Sequence, residues 1–138
     1  MSTTEQAAPS RSTTGTSWWV GIVDDDASIR SSLARAFKGN GIPVETFGSA
    51  EEYLSRAVSG EPRCIVLDVQ LGAQSGFDLR DRLVSAGDAP PIIFITAHEM
   101  SWLQLERCAG SSGYLRKPFD TDALLALVRP HLDRTTTE

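Results

Sequence analysis

The sequence is short of lysine, of cysteine and of long apolar runs, and each shortage removes a class of function. Only two lysines occur, Lys38 and Lys117, and 13 basic side chains face 18 acidic ones in 138 residues, a net charge of −5. Proteins that bind duplex DNA or RNA neutralise phosphates with clustered lysine and arginine, so direct nucleic-acid binding is not expected. No apolar run approaches the ~18 residues a membrane span requires, so no membrane role is expected either. The two cysteines, Cys64 and Cys108, form no C-x-x-C unit and lie in apolar segments. They read as small core residues of a reduced, cytoplasmic protein rather than a disulfide or a metal knuckle. A nucleotide-binding Rossmann reading fails on a missing Gly-rich fingerprint, because DDDASIR stands where it would follow the first strand.

What the chain does contain begins with a polar stretch. Its first seventeen residues, MSTTEQAAPSRSTTGTS, hold five Thr and four Ser and no hydrophobic stretch, and read as a flexible tail rather than a signal peptide. From Trp18 a βα rhythm repeats five times. The strand candidates are WWVGIVD ending at Asp24, PVETF ending at Phe47, RCIVLD ending at Asp68, PIIFIT ending at Thr96 and GYLR ending at Arg116. Three are almost continuous aliphatic runs, as expected of strands buried on both faces of a parallel sheet.

Between the strands, apolar residues recur at helical spacing. Ile29, Leu33, Ala36 and Phe37 give helix one, stopping at Gly39 and Gly41. Ser49 and Glu52 form a capping box ahead of Tyr53, Leu54, Ala57 and Val58, which gives helix two, ending near Gly60. Leu79, Leu83 and Val84 give helix three; residues 99–109 give helix four; Asp120 starts helix five, with Leu124, Leu127 and Val128 inward. Pro130 is expected to end or bend that last helix. The alternation predicts an α/β sandwich with helices on both faces of a parallel sheet, and nothing remains for a second domain.

In such a sheet ligands sit beyond the carboxyl ends of the strands, and here those ends are polar. Strand one ends in Asp24, Asp25 and Asp26, strand three in Asp68 and strand four in Thr96, while strand five runs into Lys117 and Pro118. One Asp after a strand is usually a cap or a turn residue; the set together suggests a pocket. Gathered carboxylates need a cation, and oxygen ligands with room for water and a phosphoryl oxygen select Mg²⁺, with Mn²⁺ as a substitute, over zinc. A lysine and a hydroxyl beside them suit phosphoryl oxygens. That combination would stabilise a phosphoryl group in transfer to an attacking carboxylate.

At this point VDDDASIR, IVLDVQ, FITAH and YLRKPF, in this order and spacing, resemble the motifs of the CheY-like receiver domain of two-component response regulators. The resemblance covers about residues 18–133, leaving 134–138 as a C-terminal tail. It implies a flavodoxin-like doubly wound (βα)5 three-layer sandwich with parallel strand order 2-1-3-4-5. It also implies that Asp68 is the phosphoacceptor, that Asp25 binds Mg²⁺ directly and Asp24 largely through water, and that the Gln70 backbone carbonyl completes the metal shell. Thr96, Ala97 and Lys117 match the phosphoryl-binding positions, Thr96 and Tyr114 the switch pair, and Lys117–Pro118 a cis peptide. Asp26 falls where the family varies and reads as a helix-start residue.

Two departures stand out. The loop VQLGAQSG has Gly72 where the family commonly has proline, which points to a more mobile loop and a looser metal site. The stretch from Thr96 to Lys117 is about one residue shorter than usual, which bears on the start of helix four. His98 reads as a solvent-facing loop histidine, His131 as surface, and Trp18 and Trp19 as sheet packing.

The function implied is that of a phosphoacceptor signalling domain rather than an enzyme. It would take a phosphoryl group from a sensor histidine kinase or a phosphotransfer protein and change its contacts with a downstream protein target, as a monomer or a phosphorylation-dependent homodimer. Trp102, Leu105 and Ala109 share one face of helix four. Met100, Leu103 and Arg107 lie on another, which with Tyr114 reads as a docking surface. Two rival readings are a phosphorylation-independent adaptor, against which the full acidic, Thr and Lys set counts, and a Mg²⁺-dependent phosphohydrolase, which would need an acid where Gln70 stands. Residues after His131 are too few for an output domain, so signalling by protein contact is expected if the sequence is complete, and an output domain downstream if it is a piece of a longer chain.

Overall fold

The structure, a computed structural model, describes residues 18–56, 58–97, 101–108 and 111–132. Among these residues, seven strands and five helices follow in the order β1 (Trp18–Val23), α1 (Ala27–Gly39), β2 (Val44–Phe47), α2 (Ala50–Leu54), β3 (Glu61–Asp68), β4 (Gln70–Leu71), β5 (Gln74–Ser75), α3 (Gly76–Ser85), β6 (Ile92–Thr96), α4 (Trp102–Cys108), β7 (Tyr114–Arg116) and α5 (Thr121–Leu132). Five strands form one parallel sheet in the order β2-β1-β3-β6-β7, which is 2-1-3-4-5 when its own strands are counted. Strands β4 and β5 form a separate antiparallel pair just beyond β3.

Side chains alternate across the central strands and divide the core in two. Trp19 and Val23 of β1, Ile65 and Leu67 of β3, and Ile92 and Phe94 of β6 pack with Tyr53 of α2, Phe77, Leu79 and Leu83 of α3, and Cys108 of α4. On the other face, Val20, Ile22, Cys64, Val66, Ile93 and Ile95 pack with Leu33 and Phe37 of α1 and Leu124, Leu125 and Val128 of α5. Both faces of the inner strands are therefore buried, and the strand carboxyl ends are left as the edge open to a ligand.

Three helices differ from the sequence reading. Helix α2 stops at Leu54 instead of running through Val58. The Ser49 hydroxyl accepts the Glu52 N–H as expected, while the Glu52 carboxylate accepts the Gly48 N–H. The Ser55 hydroxyl then turns back to the Glu51 carbonyl, and the Trp19 indole N–H captures the Ser59 carbonyl at 3.1 Å. Arg56 lies over the Tyr53 ring at 4.3 Å, so tertiary contacts outweigh the helical pattern, and Val58 packs on the core from outside a helix.

Helix α4 begins at Trp102, after a reciprocal cap in which the Gln104 N–H donates to the Ser101 hydroxyl and the Ser101 N–H to the Gln104 side-chain oxygen. Ala57, His98, Glu99, Met100 and Ala109, along with residues 1–17 and 133–138, lie outside the described residues. Helix α5 contains Pro130 and continues to Leu132. Proline there forgoes one N–H, to the Ala126 carbonyl, without ending the helix within the described residues.

Candidate functional site

The carboxyl ends of β1, β3, β6 and β7 bring five of the expected residues to one edge. Asp24 follows β1 and is fully buried, and Asp68 ends β3 at 4% exposure. Asp25 stands exposed beside them. One carboxylate oxygen from each of the three lies within 4.8 Å of the others. Asp26 turns away: it is the N-cap of α1, where its side chain accepts the Ser28 and Ile29 N–H groups.

Lys117 reaches this cluster from the end of β7, two strands from β3. Its Nζ lies 3.0 Å from Asp24 Oδ2 and 3.1 Å from Asp68 Oδ2. Its backbone N–H donates to the Thr96 carbonyl at 2.7 Å, and the Lys117–Pro118 peptide is cis. Thr96 is buried at the end of β6, one residue past Ile95, the register partner of Asp68.

The remaining acceptors are met by backbone. Asp68 Oδ1 accepts the Gln70 N–H at 3.0 Å, and Asp24 Oδ1 accepts the Asp26 N–H at 2.9 Å. The loop expected to be loose forms the β4–β5 hairpin, and the Gly72 N–H donates to Asp25 Oδ2 at 3.0 Å. Gln74 extends its side-chain amide to Glu51 at 2.9 Å.

Burial, and more negative than positive charge in the cluster, together set its proton affinities. Burial raises the Asp68 pKa above the usual carboxylate range, and the Asp24 charge adds to the rise, against the lowering effect of the Gln70 N–H and Lys117. Burial alone would lower Lys117. Its bonds to Asp24 and Asp68, with their charges, outweigh that, and its pKa is raised. Asp68 holds its proton more tightly chiefly because it is buried, and Lys117 because it is bonded to two acids; three close carboxylates around one ammonium leave an excess of anionic charge, the condition that favours an added cation. The donor set is oxygen only, drawn from three close carboxylates, and it fits a hard divalent ion such as Mg²⁺.

The other expected residues are more exposed. Ala97 is exposed after β6, and Gln70, exposed at the start of the hairpin, meets Asp68 through its backbone N–H. Tyr114 is 47% exposed on β7, in register with Phe94. On α4, Leu103 and Trp102 are 73% and 80% exposed, so the Trp102 face is open as well as the Leu103 face. Arg107 is drawn back to α3, where it pairs with Asp81 at 3.2 Å and lies over the Phe77 ring at 4.4 Å.

Two residues at the site were not singled out from sequence. Arg30 donates to the Asp24 backbone carbonyl at 2.7 Å, and its signal was an arginine one turn into the helix that follows the acids. Gly76 opens α3 where a Cβ would overlap the Asp68 carbonyl oxygen, and its signal was a glycine directly after the capping Ser75.

Comparison with known proteins agrees with this arrangement. The profile of the response regulator receiver domain family matches residues 20–129. The chain is 38% identical over 118 residues to the response regulator MprA of Mycolicibacterium vanbaalenii, an alignment covering 85% of this chain and 51% of that protein. The chain thus spans about half the length of the curated relatives it matches. Among solved structures, a response regulator receiver protein from Burkholderia phymatum is similar with a TM-score of 0.70 and 38% identity, covering 84% of this chain and 95% of that one. A BeF3-activated DrrB receiver domain is similar with a TM-score of 0.72 and 28% identity, covering 85% and 98%.

Proposed function

This chain belongs to the response regulator receiver domain family, and from that premise we propose that Asp68 is its phosphoacceptor. The observation that carries the reading is the convergence of Asp24, Asp25, Asp68 and Lys117 at one sheet edge. An Asp68 carboxylate oxygen attacks the phosphorus of a phosphohistidine on a histidine kinase or phosphotransfer protein. The new O–P bond forms as the P–N bond breaks, and its electron pair leaves with the imidazole nitrogen.

Asp25 and the Gln70 carbonyl would hold Mg²⁺ with Asp68, and Asp24 would act largely through water; the ion, when bound, supplies charge neutralisation for the incoming phosphoryl oxygens. Lys117 gives its ammonium to a phosphoryl oxygen, at the cost of its present bonds to the acids. Thr96 offers its hydroxyl and Ala97 its backbone N–H from the end of β6. The domain performs no other chemistry than its own phosphorylation and dephosphorylation.

The output is a change of contacts in the cytoplasm. As the Thr96 hydroxyl turns toward the phosphoryl group, Tyr114 rotates inward, which changes the surface carrying Leu103, Arg107 and Tyr114. The DrrB receiver structure is described as BeF3-activated, and the same phosphoryl mimic should act on this chain.

The test is intact-mass spectrometry after incubation with Mg²⁺ and acetyl phosphate. Wild type should gain one phosphoryl group, but none when the metal is chelated beforehand, and Asp68→Asn should gain none. A label that persists in Asp68→Asn refutes the assignment.

A further inference from the structure

We propose that the β4–β5 hairpin is a clamp for the acidic cluster, and that Gly72 is a positioning residue for the cation site, acting on Asp25 through its backbone N–H. The inference rests on the metal reading above. The Gln70 N–H donates to Asp68 and the Gly72 N–H to Asp25, each at 3.0 Å. Amides two residues apart on an extended segment face the same way, so one edge of the hairpin grips carboxylates delivered by two different strands, β1 and β3. The rest of the hairpin is moored. Its strands pair Gln70 with Ser75 and Leu71 with Gln74, the Gly76 N–H closes its base on the Val69 carbonyl at 2.6 Å, and Gln74 ties it to Glu51.

Asp25 needs this support. It is exposed, and among the described residues Gly72 is its only hydrogen-bond or ion-pair partner. A free surface carboxylate samples several rotamers. One held through Oδ2 keeps Oδ1 in place for a ligand, and loss of such an outer partner typically weakens metal binding by about 10–100-fold. The bond depends on the residue type. Gly72 has φ +62°, which proline cannot adopt, and proline has no N–H to donate. The proline common at this position in the family could not make the contact, so the hairpin takes over the loop's positioning task by hydrogen bonding.

The probe is Mn²⁺, its binding followed by electron paramagnetic resonance on the full chain, with melting curves recorded without metal. Gly72→Pro, which removes the N–H, should bind Mn²⁺ about 10-fold more weakly or worse, while Gly72→Asn, which keeps it and tolerates a positive φ, should stay close to wild type. Gly72→Pro binding as tightly as wild type, or Gly72→Asn losing as much as Gly72→Pro, overturns the inference and leaves the proposed function standing. A wild type that binds no Mn²⁺ overturns both.

A second measurement does not depend on the proline variant folding. In the metal-free protein the Gly72 amide proton should lose exchange protection and shift upfield in Asp25→Ala. An unchanged Gly72 resonance contradicts the contact.

Discussion

Replacing Lys117 with alanine removes the ammonium that joins two buried acids, Asp24 and Asp68. The two acids it joins have side chains 0% and 6% exposed, and the lysine is itself 18% exposed. Removing one partner of a buried ion pair costs about 3–5 kcal/mol, because the other charge stays buried and unpaired. The partial exposure of Lys117 and the readiness of Asp68 to take up a proton reduce this to about 2–3 kcal/mol. For a domain of this size that is a fall in melting temperature of roughly 8–15 °C.

The deficit should depend on pH in a definite direction. Asp68 is already raised in the folded protein, so the folded state holds its proton more tightly than the unfolded chain, and protonation favours folding. Without Lys117 that elevation grows. The gap between variant and wild type is then full near neutrality and narrows as the pH is lowered through the raised Asp68 value. The wild-type contribution of Lys117, itself raised, is present below the ordinary lysine pKa and lost only as the pH climbs through the raised one. Circular-dichroism melts of both proteins at about pH 8 and about pH 5 measure it. Equal melting temperatures at the higher pH, or a gap that widens on acidification, would refute the reasoning.

Three further outcomes are expected. Mg²⁺ at a hundred times its dissociation constant should stabilise the wild type by about 2.7 kcal/mol, and Asp25→Ala should lose most of that shift; equal shifts in thermal melts would count against the acidic cluster as the binding site. Gly76→Ala should cost about 1–3 kcal/mol in urea unfolding, since its Cβ would meet the Asp68 carbonyl and lie 3.2 Å from the Leu67 side chain; a neutral substitution contradicts the packing described. Arg107→Ala should cost about 1 kcal/mol or less, since its side chain is 42% exposed. It should nevertheless speed hydrogen exchange in α4 ahead of global unfolding, and unaltered exchange there would mean that Phe77 and Asp81 do not anchor the helix.

The sheet was legible because its inner strands are buried on both faces, which leaves runs such as CIVL and IIFI with no polar interruption. The acids and Lys117 were legible because they stand directly at strand ends, where a parallel sheet must bring them together. Side-chain contacts between distant segments were not legible. Helix α2 looks longer in sequence than it is because nothing near Val58 announces that Trp19, forty residues earlier, will take the Ser59 carbonyl. The β4–β5 hairpin has two-residue strands that bury only Leu71 and is held by backbone bonds to Asp25 and Asp68, so it is too short to show a hydrophobic alternation. On α4, the helical wheel grouped Trp102 with Leu105, yet the helix is anchored by Cys108 and Arg107 and leaves Trp102 in solvent. The Ser101–Gln104 cap that starts it is a signal the sequence does carry.

The most direct measurement is to trap the acyl phosphate itself. Protein treated with Mg²⁺ and acetyl phosphate is reduced with borohydride, and its peptides are mapped by mass spectrometry. The account predicts conversion of the Asp68 side chain to homoserine in the peptide spanning β3, with Asp24 and Asp25 untouched and no conversion in the presence of a chelator. Reduction at another carboxylate, or none at Asp68 while the protein still carries the label, would contradict it.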